Sequence, residues 1–249
     1  MTSARTFGWV RPEARGRAPH AGKRTALSLD GIPTSGLLEH LPPVYDQHRV
    51  GSCTAQALAG AVELLAHRSG YAPERPDRAA LYRREREMIG TTAEDSGAII
   101  ADGIAVLRCG WEPEREEPPP VWGPAWHDPA RALPADAPRV VSAEPLDLDP
   151  ATIAWELSCG HPVAVGLQVT EDWMGFDGSR LPEPRDAGDV VGGHALLLVG
   201  YDLEARVWRV RNSWGEGWGE GGYAWLTWAW TSLPWCGEAH ALRAIRRAA

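Results

Sequence analysis

Cys53 stands at the point where a glycine-ended loop gives way to an apolar helical pattern. Ala57, Ala61, Leu64 and Leu65 follow it at helical spacing and predict a helix that begins near Cys53. The unpaired N–H groups and dipole at a helix start favour an anion, which lowers a thiol pKa below its usual value of about 8.5. A cysteine in this place can be a nucleophilic thiolate, although taken alone it is more often a small buried apolar residue.

Gln47 lies six residues before Cys53, on the loop that leads into the same helix start. Its side-chain amide can donate a hydrogen bond to an oxyanion that develops when a thiolate attacks a carbonyl group. The backbone N–H of Cys53 would be the second donor.

His194 and Asn212 supply the remaining groups that such chemistry requires. His194 stands at the mouth of an apolar strand pattern, which would hold a general base rigidly. Asn212 ends another strand pattern, where its amide oxygen can accept from the imidazole and fix its tautomer. Trp214 can shield that hydrogen bond from water. Taken singly, the histidine is more often structural, and the asparagine is equally compatible with a glycine-rich turn.

Taken together, these residues resemble the papain family of cysteine peptidases. The frame from Gln47 to Ala55 and the run Asn-Ser-Trp-Gly-x-Gly-Trp-Gly-x-x-Gly-Tyr from Asn212 carry the resemblance, which extends over about residues 41–230. That family places its His and Asn roughly 130–150 residues after the cysteine. His194 falls within this interval and Asn212 slightly beyond it.

The resemblance implies an α+β, papain-like, two-lobed fold with a cleft between a helical lobe and an antiparallel, barrel-like β lobe. It also implies that Ser96 and Gly97 line the main specificity pocket, together with Gly193 beside the histidine. Val50 and Asp95 occupy the positions of a disulfide common near the family's active site, so that bridge is not expected here.

Hydrophobic patterns place helices in the first part of the chain and strands in the second, which favours an α+β protein of two lobes. We expect an extension over residues 1–40, a helical lobe over 41–148 and a β-rich lobe over 149–249. The predicted helices span 53–67, 77–89, 97–108 and 150–158, with a long loop over 112–139. The predicted strands span 163–169, 190–199, 207–210 and 223–226.

Composition excludes several classes of protein. A net charge of −8 and a pI near 5.5 argue against nucleic-acid binding. No apolar run reaches the roughly 18 residues of a membrane helix. No metal-ligand or phosphate-loop motif occurs, so no cofactor is expected. The oligomeric state stays open.

The N-terminal stretch Arg5 to Arg24 is basic and reads as a mobile, solvated tail. The forty residues before the core that resembles the family are short for an inhibitory prosegment, so regulation by prosegment removal is not expected. The four cysteines cannot all pair if Cys53 is a free thiol, which favours a reducing, cytoplasmic setting.

The sequence therefore predicts hydrolysis of peptide bonds in peptides or proteins through a thioester intermediate. Two alternatives use the same site: a peptidyl or acyl transferase, and a protease dedicated to maturing one peptide. A non-catalytic peptide-binding module is a third, and the complete set of Gln47, Cys53, His194 and Asn212 argues against it.

Overall fold

The computed structural model describes residues 6–15, 28–71, 75–123, 126, 131–185 and 189–246 of the chain. The α-helices are α1 (Cys53–Arg68), α2 (Arg78–Met88), α3 (Ile100–Cys109) and α4 (Pro150–Ser158). The strands are β1 (Ser35–Leu37), β2 (Arg139–Pro145), β3 (Val163–Thr170), β4 (Val190–Asp202), β5 (Val207–Arg211), β6 (Tyr223–Thr227) and β7 (Cys236–Arg246). Within these ranges, no helix combines the length and apolarity needed to cross a membrane.

Helix α1 is the central helix of the fold. It is rich in alanine and leucine, and nearly all of its side chains are buried because it packs between the other helices and strand β4. It begins at Cys53, as predicted, and the side chain of Ser52 makes no capping hydrogen bond at its start. Cys53 is therefore held at the end of a helix that is itself fixed on all sides.

Seven strands form one antiparallel sheet in the order β2-β7-β3-β4-β5-β6, and β1 adds to β4. Strands β3 and β4 lie at the centre, which explains their nearly continuous apolar sequences. His194 lies on β4 opposite Leu167, and β5 ends at Arg211 immediately before Asn212. The sheet thus brings the predicted base and its predicted partner to one end.

The α+β class and the order of the main elements agree with prediction, and three strands are additional. Strand β1 comes from the predicted extension and β2 from the predicted helical lobe, while β7 was not predicted at all. Helix α3 starts at Ile100 instead of residue 97. Gly97 has a φ of +69°, which lies outside the right-handed helical region.

Candidate active site

The thiol of Cys53 is fully buried where α1 meets β4. Its sulfur accepts hydrogen bonds from the backbone N–H groups of Thr54, Ala195 and Gly8, which favour the anion. Burial outweighs these bonds and raises the pKa of the Cys53 thiol to about 12, with the carboxyl of Glu85 adding to the rise. The lowered pKa expected at a helix start is therefore not found, because the sulfur is fully buried.

His194 is held in one orientation by two neighbours. Its Nε2 lies 2.7 Å from the side-chain oxygen of Asn212, and its ring stacks on Trp214 at 4.5 Å between centroids. Since an amide oxygen only accepts, Nε2 carries the hydrogen, and Nδ1 is the basic nitrogen of the neutral ring. The next residue, Ala195, donates to the Cys53 sulfur, so the predicted base and the predicted nucleophile lie together.

Gln47 is buried at the same place and its side chain is fixed at both ends. Its amide oxygen accepts from the Ser213 hydroxyl at 2.7 Å, next to Asn212. Its amide nitrogen donates to the carbonyl of Val50 at 2.9 Å and to that of Thr6 at 3.0 Å. A carbonyl oxygen of the N-terminal region thus takes a donor that was predicted to serve an oxyanion.

Residues Phe7–Val10, which we call the cleft segment, cover this site. Gly8 accepts from the N–H of Ala98 at 2.7 Å, Val10 donates to the Ala98 carbonyl at 3.0 Å, and Trp9 donates to the Gly193 carbonyl at 3.1 Å. The prediction of a mobile, solvated tail is wrong for these residues, because backbone pairing and burial of Trp9 hold them in place. Arg5, Arg17, Lys23 and Arg24 lie outside the described residues.

The Trp9 side chain fills a pocket in the β lobe. The pocket exists because glycines stand at positions 166 and 237, where an added Cβ would lie 2.1 Å and 2.8 Å from the indole. At its base, the indole N–H donates to Glu238 Oε1 at 2.7 Å. The same oxygen accepts from the N–H of Ile100 at 2.8 Å. This is a deep apolar pocket that ends in a carboxylate.

Comparisons with known proteins agree with this geometry. A family model described as papain family cysteine protease matches residues 137–241, which include His194 and Asn212. The solved structure of xylellain, a cysteine protease from Xylella fastidiosa, superposes with a TM-score of 0.81 and 27% identity, covering 96% of each chain. That superposition includes the helical lobe that carries Cys53 and Gln47. Over residues 137–241 in sequence, and over 96% of the chain in fold, this protein is similar to the papain family of cysteine proteases.

Sequence relatives point the same way. A peptidase C1-like protein of Acanthamoeba polyphaga mimivirus is 28% identical over 89% of this chain and 81% of its own length. A cathepsin B-like cysteine proteinase of Caenorhabditis elegans is 34% identical, over 30% of this chain and 20% of its own.

The three predicted substrate-binding residues occupy different places around the candidate site. Gly193 offers its carbonyl to Trp9, and at Gly97 an added Cβ would lie 2.0 Å from the Gly8 carbonyl oxygen. Ser96 lies exposed at the rim, where its hydroxyl accepts from Arg86. Ala98, the residue after Gly97, supplies the backbone pairing to Gly8 and Val10.

Asp95 holds the loop before Cys53 by hydrogen bonds, at a position where no disulfide was expected. Both of its carboxylate oxygens lie 3.0 Å from the N–H of Gly51, and Oδ1 also accepts from the Tyr82 hydroxyl. All four cysteines are free thiols. The loop before Cys53 is therefore tied to Asp95 by hydrogen bonds to a carboxylate, without a covalent bridge.

Arg211 is a second functional support that sequence reasoning missed. Its buried guanidinium lies 4.1 Å from the ring centroid of Tyr45, whose hydroxyl donates to Glu63 on α1. Because Arg211 immediately precedes Asn212, this contact ties the end of β5 to the helix that carries the nucleophile. The sequence signal is weak, because the strand VWRVR carries a second arginine, Arg209, which is less buried than Arg211.

Proposed function

We propose that this chain is a cysteine peptidase in which Cys53 attacks the scissile carbonyl and His194 transfers the proton. The single observation that carries the assignment is the hydrogen bond from His194 Nε2 to Asn212 beside Cys53. The residue after His194, Ala195, donates to the Cys53 sulfur. The relatives named as proteases favour hydrolysis over acyl transfer to an amine.

The reaction follows from these positions. His194 Nδ1 takes the proton of Cys53, and the thiolate adds to the carbonyl carbon of a peptide bond. The amide of Gln47 and the N–H of Cys53 stabilise the oxyanion, and His194 then protonates the departing amine. Water hydrolyses the thioester with His194 as base, while Asn212 keeps the ring in one tautomer.

The cleft segment supports a further part of the proposal, that the full chain is held inactive. Gly8 presents its N–H to the sulfur, so a donor group stands where a scissile carbonyl carbon must be. The carbonyl oxygen of Thr6 at the same time accepts a hydrogen bond from the Gln47 side-chain amide, the predicted oxyanion donor. Hydrolysis of a substrate requires this segment to leave the cleft.

The seat of Trp9 also supports a substrate preference. A pocket of this shape with Glu238 at its base suits a large side chain that carries an N–H donor, such as tryptophan or arginine. Small aliphatic side chains would leave the carboxylate without that donor, which costs binding energy. We therefore propose peptides with tryptophan or arginine at the position that enters this pocket.

Cleavage of a peptide library tests both the activity and the preference. A Trp9→Ala enzyme, in which the pocket is vacated, should cleave tryptophan- and arginine-containing peptides, and the Cys53→Ala form of that enzyme should cleave none. Glu238→Gln should reduce cleavage at arginine by about 10- to 100-fold, since the guanidinium then bonds to a neutral acceptor and loses its ion pair. Cleavage at tryptophan should change little, because an amide oxygen still accepts from the indole. Equal losses for both peptides would contradict the proposed pocket.

A further inference from the structure

A carboxyl group lies directly behind the turn that carries the nucleophile. Glu85 on α2 is fully buried, and its Oε2 lies 2.7 Å from the hydroxyl of Thr54. Thr54 follows Cys53 in the first turn of α1 and is itself fully buried. The peptidase mechanism above makes no use of this acid.

The surroundings of Glu85 do not suit an ionised carboxylate. Among the described residues, its Oε1 has no hydrogen-bond partner. Helix α3 approaches closely at Gly103, where an added Cβ would lie 2.3 Å from Oε1. A buried carboxylate that has one hydroxyl as its hydrogen-bond partner carries a large desolvation cost, whereas the neutral acid carries a much smaller one.

Charged and titratable groups face Glu85 from every neighbouring element. Asp102 on α3 and Glu238 on β7 are acids, Cys53 lies on α1, and Arg86 lies beside it on α2. Tyr82, also on α2, is a further titratable neighbour.

Arg86 is the cation of this group, and its guanidinium is committed elsewhere. It donates to the carbonyl oxygens of Thr91 and Glu94 at 2.8 Å and 2.7 Å, and to that of Gly97. Burial raises the pKa of Glu85 to about 8; Asp102 and Glu238 add to the rise, and the bond from Thr54 and the charge of Arg86 oppose it.

We propose that Glu85 is a positioning residue that works as a neutral carboxylic acid, anchoring Thr54 without placing an anion behind the Cys53 sulfur. The inference deepens the proposed peptidase function and rests on it only for the consequence at the thiol. An ionised Glu85 would oppose the Cys53 thiolate, because like charges disfavour each other's ionisation. Protonation of Glu85 therefore keeps the nucleophile usable.

Infrared spectroscopy of the full chain at pH 7 tests this without any need for peptidase activity. We expect a carboxylic-acid C=O band in the native protein that is absent in Glu85→Gln and retained in Glu87→Gln, a matched change at an exposed acid of the same helix. Identical spectra in native protein and Glu85→Gln would overturn the proposal. If Glu85→Gln does not fold, Thr54→Val must shift the band, because the hydroxyl partner is lost, and an unshifted band would contradict it.

The pH dependence of Cys53 alkylation distinguishes the proposed role of Glu85 from a purely structural one, which would leave that dependence unchanged. In an enzyme opened by Trp9→Ala, alkylation of Cys53 should weaken above pH 8 as Glu85 ionises, relative to the same enzyme carrying Glu85→Gln. We expect at least about a threefold advantage for Glu85→Gln at pH 9 and parity at pH 6. Parallel pH profiles would refute the role. Failure of peptide cleavage with the expected infrared band would instead refute the peptidase function alone.

Discussion

Trp9→Ala should raise the peptidase activity of the full chain by at least about tenfold. The indole fills a pocket and donates to Glu238. Truncation of a buried tryptophan to alanine costs about 3–5 kcal/mol of packing free energy in a protein core. Only part of that energy separates the closed from the open cleft, so a tenfold change, about 1.4 kcal/mol, is a conservative expectation. Hydrolysis of a fluorogenic peptide with arginine at the pocket position measures it.

Gly8→Ala offers an independent route to the same open state. A Cβ at this position would lie 1.7 Å from the Gly51 carbonyl oxygen, so the segment must move away from the sulfur. Glu13→Ala is the control, since Glu13 lies exposed in the same N-terminal region. Activation by neither Trp9→Ala nor Gly8→Ala would contradict the inhibitory role, as would equal activation by Glu13→Ala.

Cys53→Ala in the opened enzyme should abolish hydrolysis, whereas Gln47→Ala should reduce kcat by about 10²–10³. The difference follows from their roles, since one residue forms the acyl intermediate and the other donates one of two hydrogen bonds to the oxyanion. Steady-state kinetics on one peptide gives both values, with the loss from Gln47→Ala expected mainly in kcat.

Cys109→Ala is the matched control for the nucleophile, because Cys109 is an exposed free thiol at the end of α3. Its loss should leave kcat unchanged. Residual turnover in Cys53→Ala equal to that of Cys109→Ala would remove Cys53 from the mechanism.

The chemistry of the site could be predicted because its residues lie in short, distinctive runs. The helix that starts at Cys53 shows clear periodicity, and the strand around His194 is a nearly continuous apolar run; the structure brings His194 and Asn212 to one end of the sheet. The roles of Gln47 and Trp214 remain predictions that their positions support. The cytoplasmic location also stays a prediction, since four free thiols fit a reducing compartment without selecting it.

Contacts between distant parts of the chain could not be predicted. The segment around Trp9 has no periodicity, and its placement depends on Ala98, Gly193 and Glu238, all far away in sequence. Glu85 belongs to a helix that carries many charges, so nothing in the sequence distinguishes its buried carboxyl from exposed neighbours. The environments of Trp9 and Glu85 are formed only when distant parts of the chain pack together in the fold.

Iodoacetamide labelling of Cys53 tests most directly whether Cys53 and His194 form a catalytic pair. The labelling rate is followed in the Trp9→Ala enzyme between pH 5 and 8 by peptide mass spectrometry. An imidazolium beside the sulfur should make labelling of Cys53 fast at pH 6, well below the usual thiol pKa of about 8.5, while Cys109 reacts slowly. His194→Ala should remove that advantage. Labelling of Cys53 that is slow at pH 6 and follows that of Cys109 across the range would show that Cys53 and His194 form no catalytic pair.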